Sequence, residues 1–557
     1  MKKKIGIILC AVLVVVAAVA AIADELGGSG EKDAGQAEGT QEEEASGNMD
    51  AETKSGLTKE QQKIQTQIEA VYNVEDQQAI ADRLDDEKKT QEYTFDNMLI
   101  EYNPFGTNTQ SLYVYFNTEE AVSISYNIHV DDEETDDFRR DVWQEDTYTT
   151  EHEFQVIGLI PDMENTITFF MTREDGSTDT KEIVYEMGSL LGTEEVMLDS
   201  DFQKDSQKLE DGLYVVLGND SDALDFMYYY DNQGVLRGEV PIIGYRSHRL
   251  LFDENSMYFS ISETKMVQMN RLGQVTKVYD LGNYKLHHDY VFDDNGTMLI
   301  LATDTTQDSV EDIILRLDVE SGAVTEVLDL GDLFADFKEE CQKNSEGELD
   351  WMHINTIQWM GNGSVLLSSR ETSSIIKIDS LYDGPAVSYI IGDKSVWEGT
   401  EYENLVFASQ GDFTIQGGQH TITYVEDPSL AEGQYYLYMF NNNIGISEMR
   451  PDFDWSALGL TESSAEDGDT SYYYKYLVDE NAGTFSLEDS FEVPYSGYVS
   501  SAQDLGGNTV IDSGIPGIPG IFAEYDEDHE LIAQYTMDTE KFIYRVYKYD
   551  FQGFYFQ

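Results

Sequence analysis

"HINTIQWMGNGSVLLSSRETSSIIKIDSLYDGPAVSYII", residues 353–391, is a succession of short apolar runs separated by turn residues. Alternation of apolar and polar residues at period two marks strands buried on one face. An inner strand comes first, then a turn at Asn362-Gly363, an apolar strand, and two amphipathic strands. Asn-Gly supplies the positive φ values that a tight hairpin needs, so the whole stretch reads as one small antiparallel sheet. The stretch also puts His353 at the head of its first run and Arg370 at the tail of its second.

The same grammar recurs outward in both directions. Upstream it appears in "DGLYVVLGNDSDALDFMYYYDNQGVLRGEV" (211–240), "SHRLLFDENSMYFSISETKMVQMNRLGQVTKVYDL" (247–281) and "HHDYVFDDNGTMLILATD" (287–304) with "DIILRLDVESGAVTEVLDL" (312–330). Downstream it opens at "QHTITYVEDPSLAEGQYYLYMFNNN" (419–443) and "SSAQDLGGNTVIDSGIPGIPGIFAEYDEDHELIAQYTM" (500–537). Repeats of a four-stranded sheet bury their faces only by stacking around an axis, so residues 195–557 are expected to form a six-bladed β-propeller. The segment "LFADFKEECQKNSEGELD" (333–350) breaks the pattern and reads as a helix-bearing insertion.

Residues 91–190 also alternate, as in "SLYVYFNTEEAVSISYNIHV" and "TKEIVYEM", and read as a small β-sandwich. The part "GLIPDMENTITFFM" resembles the turn-plus-strand region of a fibronectin-type sandwich. Residues 57–90 carry Ile64, Ile68 and Val71 at helical spacing, which predicts one or two packing helices. Residues 24–56 are rich in Gly, Glu, Ala and Ser and read as a disordered acidic linker. Residues 1–23 begin with three lysines followed by an apolar run, the pattern of an export signal peptide or an uncleaved signal anchor. The expected fold class is therefore all-β, a propeller preceded by a sandwich and a short helical and disordered N-terminal segment.

Composition limits the function. Acidic residues outnumber basic ones 108 to 34, for a formal net charge of −74. That field repels nucleic acid, so no nucleic-acid partner is expected. The two cysteines are Cys10 and Cys341, and Cys10 lies in the N-terminal apolar run, so an exported chain has no internal disulfide. No GxxxxGK[ST] phosphate loop occurs. The expected location is extracellular, with a membrane tether left open.

Against this acidic background the histidines stand out. Of eight, four fall at three repeat starts: His287 and His288, His353, and His420. Equivalent positions in successive blades converge on the axis, so these imidazoles and Arg370 should meet in one funnel. A single histidine is most often a buried structural residue; three matching starts with an arginine point to a metal or an oxyanion site. Arg370 would repel a dication, and its planar fork of donors matches sulfate or phosphate, so an oxyanion is the better fit and no metal or other cofactor is expected. Asn355, two residues after His353, would add an amide donor to the ligand if it turned the same way.

"DWMHIN…SVLLSSRETSSIIKID", "HHDYVFDDNGTMLIL", "GGQHT" and "SSAQDLGGNTVIDSG", in this order, resemble the bacterial arylsulfate sulfotransferases, exported enzymes that do not use phosphoadenosine phosphosulfate. The resemblance covers the sandwich and the propeller. It implies transfer of a sulfuryl group from an aryl sulfate donor to a phenol acceptor, by a ping-pong mechanism through a sulfohistidine. It makes His420 the nucleophile, with His353 and Arg370 on the sulfuryl oxygens and His287 or His288 completing the pocket. Aligning H-x-D-x-V with H-x-N-x-I favours His287, and a bulge would favour His288. Family members can dimerise, which leaves a homodimer open. The alternatives are a non-catalytic cell-surface propeller that binds a sulfated or phenolic ligand, and a hydrolase with water as acceptor.

Overall fold

The computed structural model describes residues 56–557 except 205, 254, 463–468 and 515–518. The export signal, and the acidic linker apart from Gly56, lie outside the described residues.

Two helices come first, Lys59–Val71 and Val74–Glu87. Thr58 and Gln61 close a capping box on the first, and the Asn73 side chain accepts from two backbone N–H groups of the second. Both helices are short, so packing rather than propensity must hold them. Gln65 Nε2 donates to Ile243 O at 2.7 Å, and Gln77 links Phe105 O (2.8 Å) to the N–H of Val275 (3.1 Å). The helices thus tie the sandwich to the first two propeller sheets.

The sandwich is organised by one long strand, Ser111–His129. Its first half pairs with Leu99–Tyr102 and Thr149–Ile157, and its second half with Phe138–Asp141 and Glu164–Arg173. Thr178–Glu186 adds to the outside of Glu164–Arg173. Alternate residues of Glu164–Arg173 are buried, as period-two patterning requires.

Among the described residues, six sheets of four or five strands follow. In chain order they are built on the strands starting at Leu213, Leu251, Tyr284, Ile354, His420 and Ser501, and are numbered here as blades one to six. The innermost strands Tyr284–Phe292, Ile354–Gly361, His420–Val425, Ser501–Asp504 and Val546–Tyr549 are successive neighbours. The Tyr549 hydroxyl accepts from Leu250 N–H at 2.9 Å, which joins the last of them to blade two. Both ends of the propeller contribute strands to sheets formed elsewhere in the chain. Asp199–Phe202 pairs with Leu531–Met537 in blade six, and Val546–Tyr549 pairs with Leu213–Val216 in blade one. Pairing early strands with late ones removes open edges, which would otherwise invite aggregation.

The apolar clusters lie between adjacent blades. Ile300 and Leu315 pack with Tyr258 and Met266, and Leu366 and Ile375 with Leu437 and Tyr476. The insertion after blade three holds two short helices, Leu330–Leu333 and Ala335–Glu340, whose Phe337 packs on Trp351 and Trp397. At the axis Asp289 is fully buried and bridges four blades. It pairs with Arg249 (2.8 Å) and Arg545 (3.2 Å) and accepts the N–H of Ile357 (3.2 Å).

Candidate active site

The three histidine-bearing repeat starts share a backbone irregularity. His288, His353 and Thr421 have φ of +57°, +47° and +51°, and each lies at or next to a register shift in its sheet. A residue other than glycine pays for positive φ, about 1–3 kcal/mol, and such bulges re-aim a side chain. In blade six Ser500 has the same feature at +84°.

The bulge decides between the two adjacent histidines. His288 faces His353, with ring centroids 4.7 Å apart, and sits 5.7 Å from the ring of Tyr544. His288 Nδ1 is 2.8 Å from the Tyr544 hydroxyl, and Nε2 is 2.9 Å from Glu311 Oε2. His287 is buried behind it, 5.1 Å away ring to ring.

His353 precedes its inner strand, and its Nδ1 lies 2.6 Å from Asp350 Oδ2 and 3.0 Å from Glu311 Oε2. Burial pushes its pKa down, but the two carboxylates outweigh that and raise it to about 9. His353 is therefore a buried cation at neutral pH. Arg370, which directly follows the next strand, is fixed beside it: the Arg370 backbone N–H donates to His353 O at 3.1 Å. Glu371 lies 3.5 Å from the Arg370 guanidinium, and burial pushes its carboxyl up to about 7 against the pull of that guanidinium.

His420 has a defined tautomer. Its Nδ1 meets Gly418 O at 3.0 Å and Asn442 Oδ1 at 2.8 Å. The Asn442 amide nitrogen is committed to Ser496 O and Val499 O, which fixes Oδ1 toward the ring. Both partners of Nδ1 are acceptors, so Nδ1 carries the hydrogen and Nε2 keeps a lone pair. Burial above all, with the positive charges of Arg370 and His353, holds the ring well below the usual histidine range, against the Asn442 bond. The Gly418 carbonyl is presented by a turn that only glycine fits: φ is +60°, and a Cβ would lie 2.5 Å from Ile444 Cγ2.

Asn355 does not stand among these donors. It is fully buried, and its Nδ2 donates to Gln419 O at 2.8 Å, so it braces blade four against the residue before His420. Three of the remaining four histidines are elsewhere: His129 meets Asp137 at 2.7 Å, His152 meets Gln144 at 2.9 Å, and His529 meets Asp489 at 2.8 Å.

Sequence reasoning missed Glu311, Asp350, Asn442, Tyr544 and His248. Asp350 had a signal, three residues before His353 in the same motif. His248 had one too, since Ser247-His248 opens the second repeat; its buried ring lies 6.4 Å from that of His288. Glu311, Asn442 and Tyr544 come from a loop, a strand end and the far C-terminal region, without any local pattern. The acidic residues also alter the metal question. His287, His288 and Glu311, and likewise Glu311, Asp350 and His353, bring potential ligand atoms within 4.8 Å of one another. The guanidinium of Arg370 beside them favours an anionic ligand over a dication.

The site thus combines a neutral imidazole with a directed lone pair, an imidazolium, a guanidinium, and a second neutral imidazole. Such a set can attack an electrophilic centre and bind the anionic oxygens around it.

The sequence profile described as Arylsulfotransferase (ASST) matches residues 199–545, more than half of the chain. A second profile, described as Arylsulfotransferase Ig-like domain, matches residues 99–188. No curated protein matches. Similar solved structures include a putative 6-phosphogluconolactonase from Bacteroides uniformis, at 11% identity over 77% of this chain and 99% of that one, with a TM-score of 0.33. A WD40 domain of coronin from Toxoplasma gondii matches at 8% identity over 62% and 75%, with a TM-score of 0.31. Likeness at that level bears on neither fold nor function.

Proposed function

The chain belongs to the arylsulfotransferase family, and from that premise we propose that it transfers a sulfuryl group from an aryl sulfate to a phenol in two steps through His420. Aryl sulfotransferase activity is what the family carries; the phenol acceptor follows from the family resemblance, and the intermediate from that resemblance together with the state of His420. The observation that carries the reading is the state of His420, neutral and protonated on Nδ1, with three basic residues around it.

In the first step Nε2 of His420 attacks sulfur in line with the departing phenolate. Charge on the equatorial oxygens is spread in such a transfer and rises on the leaving oxygen. Arg370 and protonated His353 supply fixed donors, which act without reorganisation in a buried site. As Nε2 bonds to sulfur its ring becomes cationic, and Gly418 O and Asn442 Oδ1 stabilise the Nδ1 hydrogen that then carries more charge. In the second step a phenol oxygen attacks the same sulfur, and the N–S electron pair returns to Nε2. No nucleotide donor is required. With residues 1–23 read as an export signal, the reaction takes place outside the cytoplasm.

Incubation with p-nitrophenyl sulfate, with and without phenol, tests this. Steady nitrophenol release that requires the acceptor supports transfer. Steady release without acceptor would indicate hydrolysis, and no release in either case would indicate a binding protein.

A further inference from the structure

Glu311 belongs to none of the repeat-start motifs, yet it touches two of the site histidines. It lies on the loop between strands Met298–Asp304 and Ile313–Leu317, at φ +59°. Its N–H donates to Thr303 Oγ1 at 2.8 Å, and its carbonyl accepts from Ile354 N–H at 3.3 Å. The loop is therefore pinned to blade three at one end and to the His353 segment at the other. One oxygen, Oε2, reaches both His288 Nε2 (2.9 Å) and His353 Nδ1 (3.0 Å).

An ionised carboxylate only accepts hydrogen bonds, so His288 Nε2 must carry a hydrogen. Burial holds the His288 ring neutral, with a pKa lowered to about 3, while the histidines around Glu311 hold its carboxyl well below the usual range despite burial. In a neutral ring with hydrogen on Nε2, Nδ1 is the acceptor. The Tyr544 hydroxyl at 2.8 Å therefore donates to Nδ1. Carboxylate, imidazole and hydroxyl form one directed chain, the arrangement by which an acid residue orients a general base.

We propose that Glu311 is a positioning residue that fixes His288 as the base of the second half-reaction, with the Tyr544 hydroxyl passing the acceptor's proton to it. The proposal rests on the transfer reaction above. The incoming phenol donates to the Tyr544 oxygen. As the phenol oxygen bonds to sulfur, the bond from sulfur to His420 Nε2 breaks and its electron pair stays on Nε2. The phenol proton passes to Tyr544 while the proton of Tyr544 passes to His288 Nδ1. The imidazolium so formed faces the Glu311 carboxylate, and later releases its proton to solvent.

Glu311→Gln tests the proposal in the full chain. The amide keeps the shape and can donate to Nε2, which would leave the hydrogen on Nδ1 and no acceptor for Tyr544. Asp350 still holds the charge of His353, so the two half-reactions should separate. The expected result is a burst of p-nitrophenol without acceptor that stays within about threefold of the parent rate, and transfer to phenol slower by roughly 100-fold. The deficit should shrink as the acceptor is made more acidic with ring nitro or fluoro groups, because an ionised phenol needs no base. Tyr544→Phe should give the same pattern, and serves if the first variant fails to fold. A deficit equal for all acceptors, or confined to the burst, would overturn the role of Glu311. A parent protein without any burst would overturn the underlying transfer reaction instead.

Discussion

The backbone N–H of Arg370 donates to the backbone carbonyl of His353 at 3.1 Å. Seventeen residues apart in sequence, the two cations are adjacent because they close one hairpin, Ile354–Gly361 with Ser364–Ser369. Ser369 Oγ, bonded to Met352 O at 2.6 Å, locks the same pair of strand ends. The basic face of the site is thus set by the register of a single sheet, and is offset by Asp350, Glu311 and Glu371 rather than by solvent.

That arrangement makes the site sensitive to pH. His353, raised to about 9, is protonated over the neutral range and loses its charge as pH rises through that value. kcat/KM for an aryl sulfate should fall on the alkaline side with an apparent pKa near 9. Asp350→Asn should move that limb toward the ordinary value of about 6.5, as a pH–rate profile would register. The sign for stability is the same. The folded pKa exceeds the unfolded one, so the contribution is complete below about 6.5 and disappears as pH rises past 9.

Arg370→Lys retains the charge and removes the planar fork. Transfer from p-nitrophenyl sulfate should drop by roughly 100-fold in kcat/KM, the scale of losing one fixed transition-state donor. Steady-state kinetics at saturating acceptor would measure this, with circular dichroism confirming that the sheets remain.

Asn442→Leu removes the acceptor that holds Nδ1 of His420 and leaves the carbonyls of Ser496 and Val499 without the amide donor. About 1–3 kcal/mol of stability should be lost for the unpaired buried groups. The rate of nitrophenol release should fall at least about tenfold, since the tautomer is no longer imposed. Urea denaturation and burst kinetics on the same sample would separate the two effects.

Asp289→Ala should cost more stability than any of these, on the order of 3–5 kcal/mol, because it strands the guanidiniums of Arg249 and Arg545 inside the fold. A chemical denaturation midpoint would report it. Asp289 touches neither His420 nor Arg370 in the hydrogen bonds and ion pairs of the described residues, so any change in activity should follow the folded fraction.

Much of the architecture was legible because it is repeated and local. The Asn362-Gly363 turn and the alternating strands about it recur along the chain, and period-two patterning reports which face is buried. The histidines were legible for the same reason, each being the first residue of a repeat or close to it. Two kinds of information were not. The choice between His287 and His288 depends on a bulge at φ +57°, which shifts the register by a step that alternation alone does not fix. Glu311 and Tyr544 act through contacts made across blades, Asn442 reaches His420 within one blade from 22 residues away, and nothing adjacent to them in sequence marks the histidine each one touches. Asn355 illustrates the converse: two residues from His353 in sequence, it turns to Gln419 in space.

The central claim is that His420 carries the sulfuryl group between the two half-reactions. Rapid acid-free quenching after exposure to p-nitrophenyl sulfate without acceptor, followed by peptide mass spectrometry, tests it most directly. A mass gain of one sulfuryl group on the peptide containing His420, lost on adding phenol and absent in His420→Ala, is the predicted result. The same gain on another residue, or turnover to phenol by a folded His420→Ala protein, would contradict it.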